Sequence, residues 1–171
     1  MAPGAIGVYR DLIARNPDVD LLAGAYRAIT EDGRERIRRT GTLASSRRQR
    51  LRAYLFTKQL NFSNSAVAFR RQVFAQRRYP EILRSAADIP VFAHIAATRE
   101  IAVTPALVAI AHRHRDSLRH NTDNATLASQ ILLDELFRPG AMPGWALACR
   151  RRYETQHYLS RFRTCYLAGE N

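Results

Sequence analysis

A carboxylate at a predicted helix start has the clearest chemical potential in this chain. The stretch Ser85-Ala-Ala-Asp88 matches a helix-capping pattern, and Val91 and Ile95 follow it at helical spacing. The helix dipole and the free backbone amides of a first turn stabilise negative charge, so we expect the Asp88 carboxylate to stay ionised. An ionised carboxylate is the proton acceptor in general-base catalysis. Aspartate is also an ordinary first-turn residue, so this position alone assigns Asp88 no role.

A pair of arginines follows a predicted strand. Arg70 and Arg71 stand where a guanidinium reaches a phosphate or another anion at a strand end. Neighbouring strand residues point to opposite faces, so at most one of the two serves a site. A solvated pair explains them equally well.

Two histidines share one face of a later extended segment. His112 and His114 stand at positions i and i+2, which would point both imidazoles at one metal ion. No nearby Cys or Glu completes a zinc site, and the flanking Arg113 and Arg115 repel a cation. We therefore assign no metal ligands in this chain.

The positive charge is carried almost entirely by arginine. Lys58 is the only lysine among 27 basic residues, and the formal net charge is +12. Arginine pairs bidentately with phosphate and carboxylate, so an anionic partner would explain the excess, although a GC-rich genome also replaces lysine with arginine. Eight arginines fall within nineteen residues: Arg34, Arg36, Arg38, Arg39, Arg47, Arg48, Arg50 and Arg52.

Length and composition limit the class of protein. A chain of 171 residues with 46% hydrophobic residues builds a sizeable core and is not a disordered basic tail. Uncharged stretches such as residues 101–111 are too short to cross a membrane. Met1 is not followed by a secretory signal pattern, and two cysteines, Cys149 and Cys165, make no disulfide framework. A reduced, cytoplasmic protein is the simplest interpretation.

The hydrophobic pattern predicts a mixed α/β chain that ends in helices. Helices are predicted up to Asn16 and at 46–59, around Val73 and Phe74, from Asp88 onward, at 124–137 and at 145–167. Strands are predicted at 19–26, 34–40, 65–69, 100–104 and 107–112, with a turn at 30–33 and with Pro105 separating the last two strands.

Several short stretches follow one another in a recognisable order. They are Ala2-Pro-Gly-Ala-Ile6, Asn16-Pro-Asp-Val-Asp-Leu-Leu22, the run from Ala25 to the Asp-Gly of Gly33, Asn64-Ser-Ala-Val-Ala-Phe-Arg-Arg71, Tyr79-Pro-Glu-Ile-Leu83 before Asp88, and His114-Arg-Asp-Ser117. Together, over residues 2–121, they resemble family 2 glycosyltransferases after their metal-binding Asp-x-Asp motif.

The resemblance implies a fold and a set of roles. It implies part of a GT-A-like mixed sheet with flanking helices at residues 1–121, followed by a helical extension at 122–171. It makes Asp88 the catalytic base for inverting sugar transfer from a nucleotide-sugar donor to a glycan or lipid-linked acceptor. It places Asn64, Arg71 and His114 among the substrate-binding residues.

The chain departs from the family in one important respect. The half that carries the nucleotide-binding strands and the Asp-x-Asp motif has no counterpart here, because Asp18-Val-Asp20 precedes an apolar strand instead of ending one. We therefore expect a truncated enzyme. A divalent cation, Mg or Mn, is expected only in an intact enzyme, and no cofactor is expected for this chain alone.

Three interpretations remain open: two function classes and, as the third, a mixed α/β domain with no activity. The first is the glycosyltransferase, with peripheral contact at the inner face of an anionic membrane. The second is a non-enzymatic, arginine-rich binding module for nucleic acid or an anionic surface. No zinc-finger spacing or RNP-like motif accompanies the arginines. The aromatic residues of the last helix suit an interfacial helix, but we expect them to pack onto the domain.

Overall fold

The computed structural model describes residues 1–114 and 125–168. Its strands are β1 (Leu21–Thr30), β2 (Glu35–Arg38), β3 (Val67–Phe69) and β4 (Ile101–Arg113). Its helices are α1 (Ala5–Arg15), α2 (Arg47–Arg52), α3 (Val73–Gln76), α4 (Asp88–Thr98), α5 (Ala125–Leu136), α6 (Gly144–Leu147) and α7 (Arg150–Ala168). A π-helical turn, Ala53–Thr57, continues α2, and a 3-10 turn, Asn64–Ala66, precedes β3.

Strand β1 is the centre of a mixed sheet. One edge of β1 pairs in parallel with β4, from Leu21 opposite Ile101 to Thr30 opposite Arg113. The other edge has two antiparallel partners, β3 at the start of β1 and β2 towards its end. The predicted turn between β1 and β2 is confirmed, and Gly33 in it adopts a φ of 77° that suits glycine. The predicted α/β class with a mixed sheet and flanking helices is also confirmed.

Both faces of the sheet are covered by helices, which explains the continuous apolar run of β1. Leu21 and Ala23 point into the main core, where α4 packs. Leu22 points to the opposite face and packs with Leu12 of α1. The alternation of side chains along a strand therefore divides β1 between two helical layers.

The two predicted strands on either side of Pro105 form one continuous strand, so the prediction of a break there is wrong. Proline has no backbone N–H for a ladder, and β4 accommodates it with irregular pairing to β1. Between the pairs Ala23–Val103 and Ala25–Leu107, β4 uses more residues than β1. The bulge brings Val108 over Gly24, where an added Cβ would lie only 2.6 Å from a Val108 methyl group.

The start of α4 also differs from the prediction. The N-cap position is Ala87, and no side chain caps the helix, so Ser85 does not act as the expected cap. Ala86, just before the cap, adopts a φ of 58°. The helix forms because its body is apolar: every residue from Pro90 to Ala97 is buried, and Phe92 and Ile95 are inaccessible to solvent.

The C-terminal helices pack into the same core as α4. Leu133 and Leu136 of α5 and Tyr153 of α7 are buried in that cluster. The boundary expected at residues 121 and 122 lies outside the described residues. The single helix predicted at 145–167 is divided into α6 and α7.

The aromatic residues of the last helices do not share one environment. Tyr153 is buried, as expected, and Trp145 and Tyr158 pack partly against the core. Phe162 and Tyr166 are exposed, so the expectation of core packing is wrong for these two.

One buried histidine of α4 has an unpaired nitrogen. His94 approaches the carbonyl oxygen of Ala141 through Nδ1 at 2.6 Å, while its buried Nε2 has no hydrogen-bond partner. Burial lowers the pKa of His94, the contact with Ala141 opposes this effect, and the charges of Arg77 and Arg99 add to it. The folded protein therefore favours the neutral imidazole.

This environment predicts a loss of stability in acid. Because the folded pKa lies below the ordinary histidine value, the unfolded chain binds the proton first as the pH falls below about 6.5. We expect His94→Asn, which keeps a donor for Ala141, to lose less unfolding free energy than the native protein between pH 7 and pH 5. Urea denaturation across this range measures the difference, and parallel curves for the two proteins would contradict it. The pKa of His157 is also lowered, so part of the acid sensitivity should persist in the variant.

Candidate functional site

Asp88 is a half-buried carboxylate at the first position of α4. Its own backbone N–H and that of Ile89 donate to it and lower its pKa, as expected for a helix start. Burial has the larger effect, however, and the pKa of Asp88 is raised above its ordinary value. The helix start thus stabilises the charged form as expected, but the burial of the carboxylate outweighs this stabilisation. A raised pKa makes a carboxylate a stronger proton acceptor.

Asn64 and Tyr79 form a short polar chain that leads to Asp88. The Asn64 side-chain amide donates to the Asp88 carboxylate at 3.5 Å, and the Tyr79 hydroxyl donates to the Asn64 side-chain oxygen at 2.8 Å. Asn64 begins the 3-10 turn before β3, and Tyr79 stacks on Phe74 with ring centroids 5.8 Å apart. Of the residues expected to bind substrate, Asn64 is therefore placed beside the candidate base.

An aromatic cluster lies beneath this polar chain. Phe92 of α4 contacts Phe62 at 5.2 Å and Tyr54 at 6.2 Å between ring centroids. Burial, followed by the charge of Asp88, raises the pKa of Tyr54 well above its ordinary value. The same two effects, in the same order, raise the pKa of Tyr79. Both phenols therefore remain neutral near Asp88, and the cluster supplies the apolar surroundings that raise the carboxyl pKa.

Tyr54 and Tyr79 were not identified as site residues from the sequence. Tyr79 stands in the Tyr-Pro-Glu stretch that carries the family resemblance, so a signal for it was present. Tyr54 lies in an amphipathic helical pattern, and nothing in its spacing indicates contact with a carboxylate more than thirty residues away.

Arg70 and Arg71 have different hydrogen-bond partners in the structure. Arg70 donates to the backbone carbonyls of Pro17 and Val19, so it ties the end of β3 to the start of β1. Arg70 and Arg71 both line a groove of about 600 Å³, together with Phe74 and Arg78. Among the described residues, neither Arg71 nor Arg78 has a side-chain partner. Phe74, which lines this groove, also stacks on Tyr79.

His114 lies elsewhere. Its Nδ1 is 3.7 Å from a Glu31 carboxylate oxygen, just beyond the ends of β1 and β4, and its side chain is exposed. No contact among the described residues joins His114 to Asp88 or Asn64. His112 is opposite Ile29 in the sheet. Ser117, which completes the His-x-x-Ser stretch, lies outside the described residues.

The Asp20 carboxylate of Asp18-Val-Asp20 does not fit a divalent cation. Asp20 is buried and lies between two guanidinium groups, 3.9 Å from Arg70 and 3.7 Å from Arg99. Gln72 also donates to it at 3.2 Å. These donors occupy the oxygens that a metal would need. Across residues 1–114 and 125–168, no group of three His, Cys, Asp or Glu residues is placed to hold a metal ion.

The environment of Asp88 predicts an unusual effect on stability. A raised folded pKa means that the ionised carboxylate is less favourable in the folded protein than in the unfolded chain, so Asp88 lowers stability at pH 7. We expect Asp88→Asn, which keeps an acceptor for the backbone amides and Asn64, to preserve or raise the unfolding free energy in urea. The contrasting variant is Asp32→Asn, because Arg34 and Thr30 lower the pKa of Asp32 to about 2. That variant should lose stability, and a larger loss for Asp88→Asn would contradict the assignment.

No family model matches this chain, and no curated protein or solved structure matches it. The resemblance to family 2 glycosyltransferases therefore depends on the ordered sequence motifs alone. In the part of the chain that the structure describes, no helix is long and apolar enough to span a membrane.

Proposed function

We propose that this chain carries the acceptor side of an inverting family 2 glycosyltransferase of GT-A type, with Asp88 as its catalytic base. The observation that carries the proposal is the half-buried Asp88 carboxylate with a raised pKa, joined to Asn64 and Tyr79. This group stands at the position that the sequence resemblance assigns to the base. It is the kind of pKa shift that concentrates at functional sites.

The proposed reaction uses Asp88 and the neighbouring cations as follows. Asp88 accepts the proton of an acceptor hydroxyl as that oxygen attacks the anomeric carbon of the donor sugar. The bond from that carbon to the nucleoside diphosphate breaks on the opposite side, so the configuration inverts. Asn64 orients the carboxylate, and Arg71 and Arg78 supply positive charge for an anionic group of either substrate.

Donor binding is proposed to come from residues outside this sequence. The resemblance assigns the nucleotide site and its divalent cation to a preceding half-domain, and Asp20 does not fit that cation. A bound Mg or Mn ion would supply charge stabilisation for the departing diphosphate.

The catalytic test uses the native gene product isolated from its source cells. With a panel of nucleotide sugars and a cell extract as acceptor, we expect release of a nucleoside diphosphate. A chromosomal Asp88→Asn variant should lower the rate at least about 100-fold, because it loses the base. Calorimetric binding of the donor should change little, since Asp88 contacts the acceptor. The control is Asp11→Asn, an exposed carboxylate on α1.

Two results would remove Asp88 from this role. The first is turnover in Asp88→Asn equal to that of the Asp11→Asn control. The second is a loss of donor affinity that accounts for the whole fall in rate.

We also propose that α7 holds the protein against an anionic membrane surface. Leu159, Phe162 and Tyr166 are 63%, 70% and 67% exposed and recur at helical spacing, so they form an apolar stripe. Arg161 and Arg163 stand beside the stripe, and no acidic residue occurs between 155 and 168. Exposed apolar side chains among cations are the composition of helices that lie in the membrane interface. A lipid-linked glycan, one of the proposed acceptors, would also be located at a membrane surface.

Vesicle sedimentation tests the membrane contact. Replacing Leu159, Phe162 and Tyr166 by Ser should weaken binding to phosphatidylglycerol vesicles by at least about tenfold, because each apolar side chain contributes on the order of 1 kcal/mol. The matched control replaces Ile6, Ile13 and Ile82, which are also exposed, and should bind normally. Equal weakening in both variants would contradict the proposal. A different result would favour the nucleic-acid module: the native protein does not bind vesicles, and the variant with Leu159, Phe162 and Tyr166 replaced still binds duplex DNA with a steep salt dependence.

A further inference from the structure

We propose that a second site, the groove between β2 and residues 58–61, binds the phosphate group of a small phosphorylated ligand. Four cationic residues line it: Arg36, Arg38, Arg39 and Lys58. Gln59 and Asn61 add amide groups, and the groove encloses about 410 Å³. We call this the β2 groove. It shares no lining residue with the groove lined by Arg71, Phe74 and Arg78. The phosphate site can therefore be tested independently of the proposed glycosyl transfer.

Several arginines near the β2 groove have a carboxylate or an aromatic ring as a partner, whereas the four cations of the groove have none among the residues that the structure describes. Arg34 pairs with Asp32 at 2.5 Å, and Arg47 and Arg50 pair with Glu100 at 2.8 and 3.1 Å. Arg48 stacks over Trp145 at 5.4 Å. These four members of the arginine-rich segment therefore have structural roles.

The four cations of the β2 groove, by contrast, contact no carboxylate in the described part of the chain. The Nε of Arg38 is buried without a hydrogen-bond partner, and the pKa of Lys58 is lowered because protein displaces its water. Like charges gathered in one groove repel one another, and an anion entering it removes that repulsion. The groove therefore has the electrostatics of an anion-binding site.

The walls of the β2 groove are fixed by the backbone. Arg36 and Arg38 lie on the same face of β2, which pairs with β1 through Ala28 and Tyr26. The opposite wall is tied to the end of β2, because the backbone N–H of Asn61 donates to the Thr40 carbonyl at 2.8 Å.

Two further constraints hold these walls together. The buried Thr40 hydroxyl donates to the Gly24 carbonyl at 3.0 Å. Gly41, with φ of 95°, lies so close to the opposite wall that an added Cβ would be 1.8 Å from the Gln59 carbonyl oxygen. The cations are thus held on fixed backbone, which limits the ordering cost of binding.

The size of the β2 groove favours a small ligand. Its volume lies within the range of about 300–1,000 Å³ that is typical of small-molecule sites. Guanidinium groups bind phosphate oxygens bidentately, and an ammonium group adds a point charge. A phosphomonoester or a diphosphate fits this chemistry, whether it is free or is the headgroup of a lipid.

The test compares soluble phosphates with lipid phosphate. Calorimetry measures binding of inorganic pyrophosphate and of glucose 1-phosphate, and sedimentation measures binding to phosphatidylcholine vesicles that contain phosphatidic acid. Whichever of these probes binds the native protein, we expect its affinity to fall at least about tenfold in the double variant Arg38→Gln, Lys58→Gln. The reason is that two charge-assisted contacts are lost. The variant Lys58→Arg keeps the charge and should retain most of the affinity.

The matched control is Arg10→Gln, Arg84→Gln, which removes the same charge from exposed positions. It should bind as the native protein does. Circular dichroism confirms that each variant is folded. Binding of soluble probes that falls in the double variant identifies a free phosphorylated ligand. Binding to vesicles alone that falls in the double variant identifies a lipid headgroup, and either result supports the site.

Three results would overturn the proposal. They are no binding of any phosphate probe at millimolar concentration, equal weakening in the double variant and the control, and binding of duplex DNA alone. The last result would show that the basic surface serves nucleic acid.

Discussion

The burial of α4 is the constraint on which the candidate site depends. The helix is covered on all sides from Pro90 to Ala97 and packs among β1, β3, α2 and α5, so it has little freedom to rotate or slide. Its first residue is the only carboxylate of the helix, and it emerges where the 3-10 turn and Tyr79 approach. A polar group is placed accurately because the apolar body behind it is fixed.

The electrostatics of α4 follow from the same burial. At Asp88, two backbone N–H groups favour the charge and burial opposes it, and burial has the larger effect. At His94, burial again disfavours the charged form, and two neighbouring arginines act in the same direction. One helix therefore holds two ionisable groups away from their ordinary pKa values, one at its exposed end and one in the core. Asp88 is the one that is only half-buried.

Local patterns in the sequence predicted much of this architecture. The Asp-Gly turn and the apolar run of β1 require only neighbouring residues, and both are present, although β1 spans Leu21–Thr30 and not the predicted 19–26. The continuity of β4 through Pro105 depends on its register with β1, a distant strand, and could not be predicted locally. Asp88 and Asn64 meet because both motifs precede core elements that converge, whereas His114 pairs with Glu31 at a strand end. Tyr54 is placed near the site by its packing against Phe62 and Phe92. The spacing of residues in the sequence does not predict this packing.

Titration of the Asp88 carboxyl by ¹³C NMR tests the central claim most directly, with the resonance assigned by comparison with the Asp88→Asn spectrum. The account predicts a pKa above the ordinary aspartate value of 3.8, because burial outweighs the helix amides. A pKa at or below 3.8 would contradict it. The carboxylate would then be an ordinary first-turn residue stabilised by the helix, and the case for Asp88 as a base would be lost.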